Sequence, residues 1–124
     1  MRPDVWFQIR ERDRAAELAI GPGKIALLEA IAETGSISSA ARRIGMSYRR
    51  AWMLVDETNR CLVEPAVEAA VGGKHGGGTA LTSAGLELVR RYRRLEKKTQ
   101  AAVATELESL MRSIPARGRT ARSD

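Results

Sequence analysis

A chain of 124 residues has room for one domain with an appended element, and its hydrophobic fraction of 44% excludes a wholly disordered protein. One cysteine excludes an internal disulfide, and one histidine leaves most histidine-based catalysis and multi-histidine metal sites without residues. Lys and Arg number 21 against 15 Asp and Glu, a net charge of +6 that points to a polyanionic partner.

From the N-terminus, MRPDVWFQIRERDRAAE has no apolar stretch typical of a signal peptide. No run reaches the ~18–20 apolar residues of a membrane span. A cytoplasmic protein with no membrane partner is expected. Residues 5–10, VWFQIR, alternate, with Val5, Phe7 and Ile9 on one side, and predict a half-buried strand. Gly21-Pro22-Gly23 breaks the chain, and Lys24 to Thr34 reads as a helix with Ile25, Leu28, Ile31 and Ala32 on one face. Gly35 suits its C-terminal cap and Ser36 the N-cap of a short helix ending at Gly45, with Ile37, Ala40, Ala41 and Ile44 on its apolar face. Ser47 starts a third helix that runs to about Asn59 or Leu62. Its apolar stripe is read as Tyr48, Ala51, Trp52, Val55 and Leu62, which places Trp52 in the core. Residues 72–78, GGKHGGG, form a loop by composition, so 66–82 reads as a hairpin with a glycine-rich basic tip. Thr82 caps a last helix from Ser83 to about Ser113, stopped by Pro115. Residues 115–124 read as a disordered tail.

The charge is concentrated. Residues 42–60 hold five bases and two acids, and residues 90–98, RRYRRLEKK, six bases and one acid. Two helices joined at Gly45-Met46-Ser47 have the helix-turn-helix layout, in which the first turn of the second helix enters the major groove. Here that turn carries Ser47, Tyr48, Arg49 and Arg50, and arginines there can serve phosphates or the O6/N7 edge of guanine. The bland alternative is an ordinary helical hairpin with solvated arginines. The following hairpin, with Lys74 and His75 at its tip, favours a winged helix. The tip lacks the G-K-[ST] ending of a phosphate-binding loop, and His75 has only Cys61 as another soft ligand, so neither a nucleotide loop nor a metal site is expected.

Gly35-Ser36-Ile37-Ser38, Gly45-Met46-Ser47-Tyr48 with Ala51-Trp52, the 72–78 glycine run and Leu81-Thr82 resemble the N-terminal DNA-binding domain of the ModE molybdate-responsive regulators, over about residues 5–112. The resemblance implies a mainly α fold with a small β ribbon: a LysR-like winged helix-turn-helix over residues 1–82 and a long dimerisation helix over 83–114. It implies DNA contacts from Ser36, Ser38, Ser47, Tyr48, Arg49, Arg50, Lys74 and His75. Members of the family add a C-terminal molybdate-binding region. Since the chain ends at residue 124, a stand-alone form is expected, with molybdate not a ligand and no cofactor.

In the last helix, Leu88, Tyr92, Leu95, Val103, Leu107 and Leu110 form an apolar seam longer than one small core can cover, and they are expected at a homodimer interface. The function expected is a sequence-specific, double-stranded-DNA-binding transcriptional regulator acting as a homodimer, not an enzyme. The alternative is an interaction module that pairs through its long helix with another regulator.

Overall fold

The computed structural model describes residues 5–10, 19–70 and 78–115. Three helices come first: α1 (Pro22–Thr34), α2 (Ile37–Ile44) and α3 (Tyr48–Cys61). An antiparallel ribbon of β1 (Val67–Ala70) and β2 (Gly78–Leu81) follows, and then the long α4 (Ser83–Met111). Val67 pairs with Leu81 and Ala70 with Gly78 in the ribbon.

Local chemistry sets the helix starts. Pro22 opens α1, where its missing N–H leaves no helical hydrogen bond unmade. The hydroxyls of Ser36, Ser47 and Thr82 accept from the backbone N–H of Ser39, Arg50 and Gly85 at 3.1, 3.1 and 3.0 Å. Gly35 and Gly45 end α1 and α2 in the left-handed region at φ 73° and 76°, which an L side chain rarely adopts.

Helix α1 is the centre of the core. Its Ile25, Leu27, Leu28 and Ile31 are buried against Ala40 and Ala41 of α2, Ala51 and Val55 of α3, and Tyr92 of α4. The small alanines let α2 and α3 approach closely. Even Lys24 is buried, its ammonium donating to the Ala19 carbonyl at 2.8 Å and lying 3.6 Å from Glu57.

Two side chains mount the ribbon. Asn59, near the end of α3, accepts from the N–H of Ala66 and Val67 and donates to the Val67 carbonyl. The Thr82 hydroxyl donates to the Pro65 carbonyl at 2.6 Å while its N–H meets the Ala66 carbonyl. The Thr79 N–H donates to the Gly35 carbonyl at 2.9 Å, fastening β2 to the α1–α2 turn. A Cβ added at Gly85 would lie 2.2 Å from the Ala66 oxygen. Gly85→Ala is therefore expected to cost about 1–3 kcal/mol. Urea denaturation should show a lower midpoint at constant slope; an unchanged midpoint would mean that α4 can shift off the ribbon freely.

Several expectations are corrected. Residues 5–10 make no extended strand: Ile9 and Ile20 exchange two backbone hydrogen bonds in one isolated bridge. Pairing stops there because α1 begins two residues after Ile20. Trp52 is not a core residue; half of its surface is exposed. The inward face of α3 is centred on Ala51, Val55 and Thr58, and the predicted stripe was rotated by part of a turn. Tyr92 is not a seam residue. It is 1% exposed, its ring stacks on Phe7 at 4.8 Å, and its hydroxyl donates to the Phe7 carbonyl at 2.7 Å. Leu88 packs against the same core, whereas Leu95 and Leu110 are exposed and Val103 and Leu107 half-buried. The hairpin tip with Lys74 and His75, and the tail beyond Pro115, lie outside the described residues.

Among the described residues, no helix is long and apolar enough to cross a membrane. Helix α4, with 29 residues, is about 43 Å long. Its first five turns are tied to the domain by Tyr92, by the Arg93 guanidinium on both carboxylate oxygens of Glu29, and by Gln100 donating to the Val5 carbonyl.

Candidate nucleic-acid interface

Helices α2 and α3 meet through a tight turn. The Gly45 N–H turns back to the Ala41 and Arg42 carbonyls, and the Met46 N–H to Ala41 at 3.0 Å. Met46 packs on the core, and Ser47 then starts α3. The first turn of α3 is consequently presented outward, with Tyr48, Arg49 and Arg50 all exposed.

Charge pairing separates the arginines on these two helices. Arg43 is paired with Glu33, and Arg60 with Asp56. The Arg42, Arg49 and Arg50 guanidinium groups have no hydrogen bond or ion pair with another described residue. In the basic run 90–98 three of the six bases are paired: Arg90 and Arg91 lie on Glu87, and Arg93 lies between Glu29 and Glu96. Those carboxylates hold the Arg93 guanidinium above the usual arginine range, the Glu29 hydrogen bonds contributing most. Arg94, Lys97 and Lys98 also lack a partner among the described residues, so the count of free cations does not separate the two faces; the outward first turn of α3, which places Arg49 and Arg50 beside Tyr48, makes the α2–α3 face the candidate for a polyanion.

The predicted site residues fall into three groups. Ser36, Ser38 and Tyr48 line a cleft of about 180 Å³ together with Ile37, Gly78 and Thr79, between the starts of α2 and α3 and the first residues of β2. Ser36 and Ser47 spend their hydroxyls as helix caps, so their first role is to fix the direction of α2 and α3. Arg49 faces outward with Met53, on the side of α3 opposite Ala51 and Val55. Arg50 lies one flank away, lining a cleft of about 290 Å³ with Trp6, Gln8, Lys24 and Leu54. The predictions missed Asn59, whose three backbone contacts position the ribbon. An asparagine six residues before Pro65 is the only local sign of it.

No family model matches the chain. Curated relatives match most of it. The molybdenum-pterin-binding protein MopB of Rhodobacter capsulatus is 47% identical over 95 residues, which cover 77% of this chain and 34% of that protein. The transcriptional regulator ModE of Yersinia pestis is 41% identical over 120 residues, 92% of this chain and 44% of its own. The DNA-binding transcriptional dual regulator ModE of Escherichia coli (strain K12) is 39% identical over 105 residues, 79% of this chain and 40% of its own. This chain is similar to part of the ModE regulators. It spans less than half the length of each of these relatives.

Those names correct two expectations. Identification as the N-terminal DNA-binding domain of a stand-alone ModE form is too narrow, because relatives named for binding molybdenum-pterin also match most of the chain, 77% and 67% of it. The exclusion of molybdate as a ligand falls with it. That exclusion rested on the end of the chain at residue 124, and the position of a terminus carries no chemistry. The relatives' names describe regulators, a transport protein and binding proteins.

Proposed function

We propose that the chain is a sequence-specific DNA-binding unit of a transcriptional regulator. In this reading α1 to α3 and the ribbon form a winged helix-turn-helix unit. Helix α3 enters the major groove, the ribbon lies along the backbone or minor groove, and two copies bind together. The observation that carries it is the exposed first turn of α3, where Arg49 and Arg50 stand without an acidic partner among the described residues. A polyanion supplies the missing counter-charge, and base edges supply selectivity. The regulator names of the Yersinia pestis and Escherichia coli relatives support the same reading. Self-association draws support from Leu95, Val103, Leu107 and Leu110, which α4 leaves wholly or partly uncovered.

Selection of bound duplexes from a random pool tests this. A single enriched motif is expected, as two inverted half-sites if two copies bind, with affinity falling steeply with salt as condensed counterions are released. A pool that stays random would end the reading.

The names of the Rhodobacter capsulatus relatives motivate a second reading, an oxyanion ligand such as molybdate. The described residues fit it through one place, the cleft at the start of α1 where Arg50 and Lys24 share a wall. Lys24 is already engaged by Ala19 and Glu57, so Arg50 would carry most of the attraction. Repeating the DNA titration with molybdate, and following the melting temperature alongside, should shift one or both; constancy of both removes molybdate as a ligand of this chain.

A further inference from the structure

Two large aromatic side chains and a methionine stand in the open on α3. Tyr48, Trp52 and Met53 are 55%, 50% and 52% exposed, and with Arg49 they enclose a shallow depression of about 490 Å³. Such a surface loses hydrophobic free energy while it stays wet, so a partner that dries it is favoured. Residues 48 and 52 are one helical turn apart, and 49 and 53 form the adjoining row. The apolar patch is thus interleaved with a guanidinium, at the start of the helix, that has no partner among the described residues. A protein partner would need an apolar face carrying carboxylates for Arg49. The major groove of DNA offers both features already: phosphates along its walls, and apolar C5-methyl groups of thymine on its floor.

We propose that Tyr48, Trp52 and Met53 form an apolar reading surface for thymine methyl groups, with Trp52 as its main specificity-determining residue. This rests on the DNA-binding reading above and adds to it a chemical class of base contact that arginine alone does not supply. Arg49 would anchor the strand while the aromatic rings discriminate a methyl-bearing edge from a bare one. Selectivity at those positions comes from exclusion of water rather than from a hydrogen-bond pattern.

The test uses the duplex enriched from the random pool and replaces its thymines by deoxyuridine one position at a time. The base-pair hydrogen bonds stay intact and one methyl group is lost. The full chain is expected to lose about fourfold in affinity at each thymine that touches the patch, the value of one buried apolar carbon. Trp52→Ala, at a half-exposed position, is expected to fold, to bind more weakly and to become indifferent to uridine at those positions. Wild-type binding that ignores uridine everywhere overturns the proposal without touching the DNA-binding reading, and this arm needs no variant. A Trp52→Ala chain that keeps its methyl sensitivity also overturns it. So does a variant that changes only the oligomeric state, since the patch would then belong to a second copy. Failure of the wild type to enrich or retain any duplex removes the DNA-binding reading itself.

Discussion

Tyr92→Ala is expected to remove about 3–5 kcal/mol of folding stability, the usual cost of emptying a large buried aromatic site. Three separate attachments end at this side chain. Its ring stacks on Phe7 with planes 14° apart, its hydroxyl donates to the Phe7 carbonyl, and the side chain is buried in the same cluster as Ile25, Leu28 and Ile31 of α1. Domains of this size have about 5–15 kcal/mol in total, so the variant should melt more than about 10 °C lower or fail to accumulate. Differential scanning calorimetry decides it, and a melting point within a few degrees of wild type would mean that α4 is held mainly by Arg93 on Glu29. Tyr92→Phe should cost much less, about 0.5–1.5 kcal/mol for the lost hydrogen bond. It also exposes a pH effect. Burial pushes the Tyr92 phenol above its ordinary value near 10, with the Glu96 charge adding to the rise. A group with a raised folded pKa gives its full stabilisation below the unfolded value and loses it as pH rises through the folded one. The wild type should therefore weaken above pH 10 in a way that Tyr92→Phe does not share.

Combined substitution of Arg49 and Arg50 by alanine is expected to produce the largest loss of DNA affinity. Each guanidinium is worth about 1–3 kcal/mol if it reads a base through two hydrogen bonds, or about one unit of salt slope if it meets a phosphate. The two point about 100° apart on the helix, so their losses should nearly add, to about 2–6 kcal/mol. The singles should agree in kind. Arg49 shares its face with Met53 and anchors the strand beside the apolar patch, and Arg50 sits beside Lys24 and Trp6 on the flank; loss of either should weaken all duplexes alike and lower the salt slope by about one unit. Fluorescence anisotropy at several salt concentrations measures both quantities. Two single variants with wild-type affinity would remove α3 from the interface.

What could be read from the sequence was local. The caps at Ser36, Ser47 and Thr82 and the left-handed glycines at 35 and 45 depend on residues within one turn, so the text of the chain carries them directly. Trp52 departs from its expected place because hydrophobicity is a poor proxy for burial on this helix. On α3 the small Ala51 and the polar Thr58 face inward, Thr58 returning its hydroxyl to the Leu54 carbonyl, while the indole stays outside. A 3.6-residue period fits both stripes, whose centres lie only about 40° apart, and only the space available beside α1 selects between them. Tyr92 was assigned to a seam for a related reason: its partner, Phe7, lies 85 residues earlier, and no periodicity reports such a pairing. That Arg49 and Arg50 have no partner among the described residues is likewise not legible in the sequence. It follows from where the carboxylates of Glu33, Asp56 and Glu87 come to rest.

Asn59 gives the ribbon and α3 a common rivet. The same side chain that lies near the end of the helix grips Ala66 and Val67, at the entry to β1, at three points, and the Gly35–Thr79 contact closes the far side. The helix and the ribbon thus behave as two jaws of a caliper set at one opening, with no joint between them to adjust. A double helix that accepts one jaw must present its next surface at a fixed offset, or bend until it does. If the proposed DNA-binding reading holds, groove width and curvature would become part of what the protein measures, at base pairs that neither jaw touches.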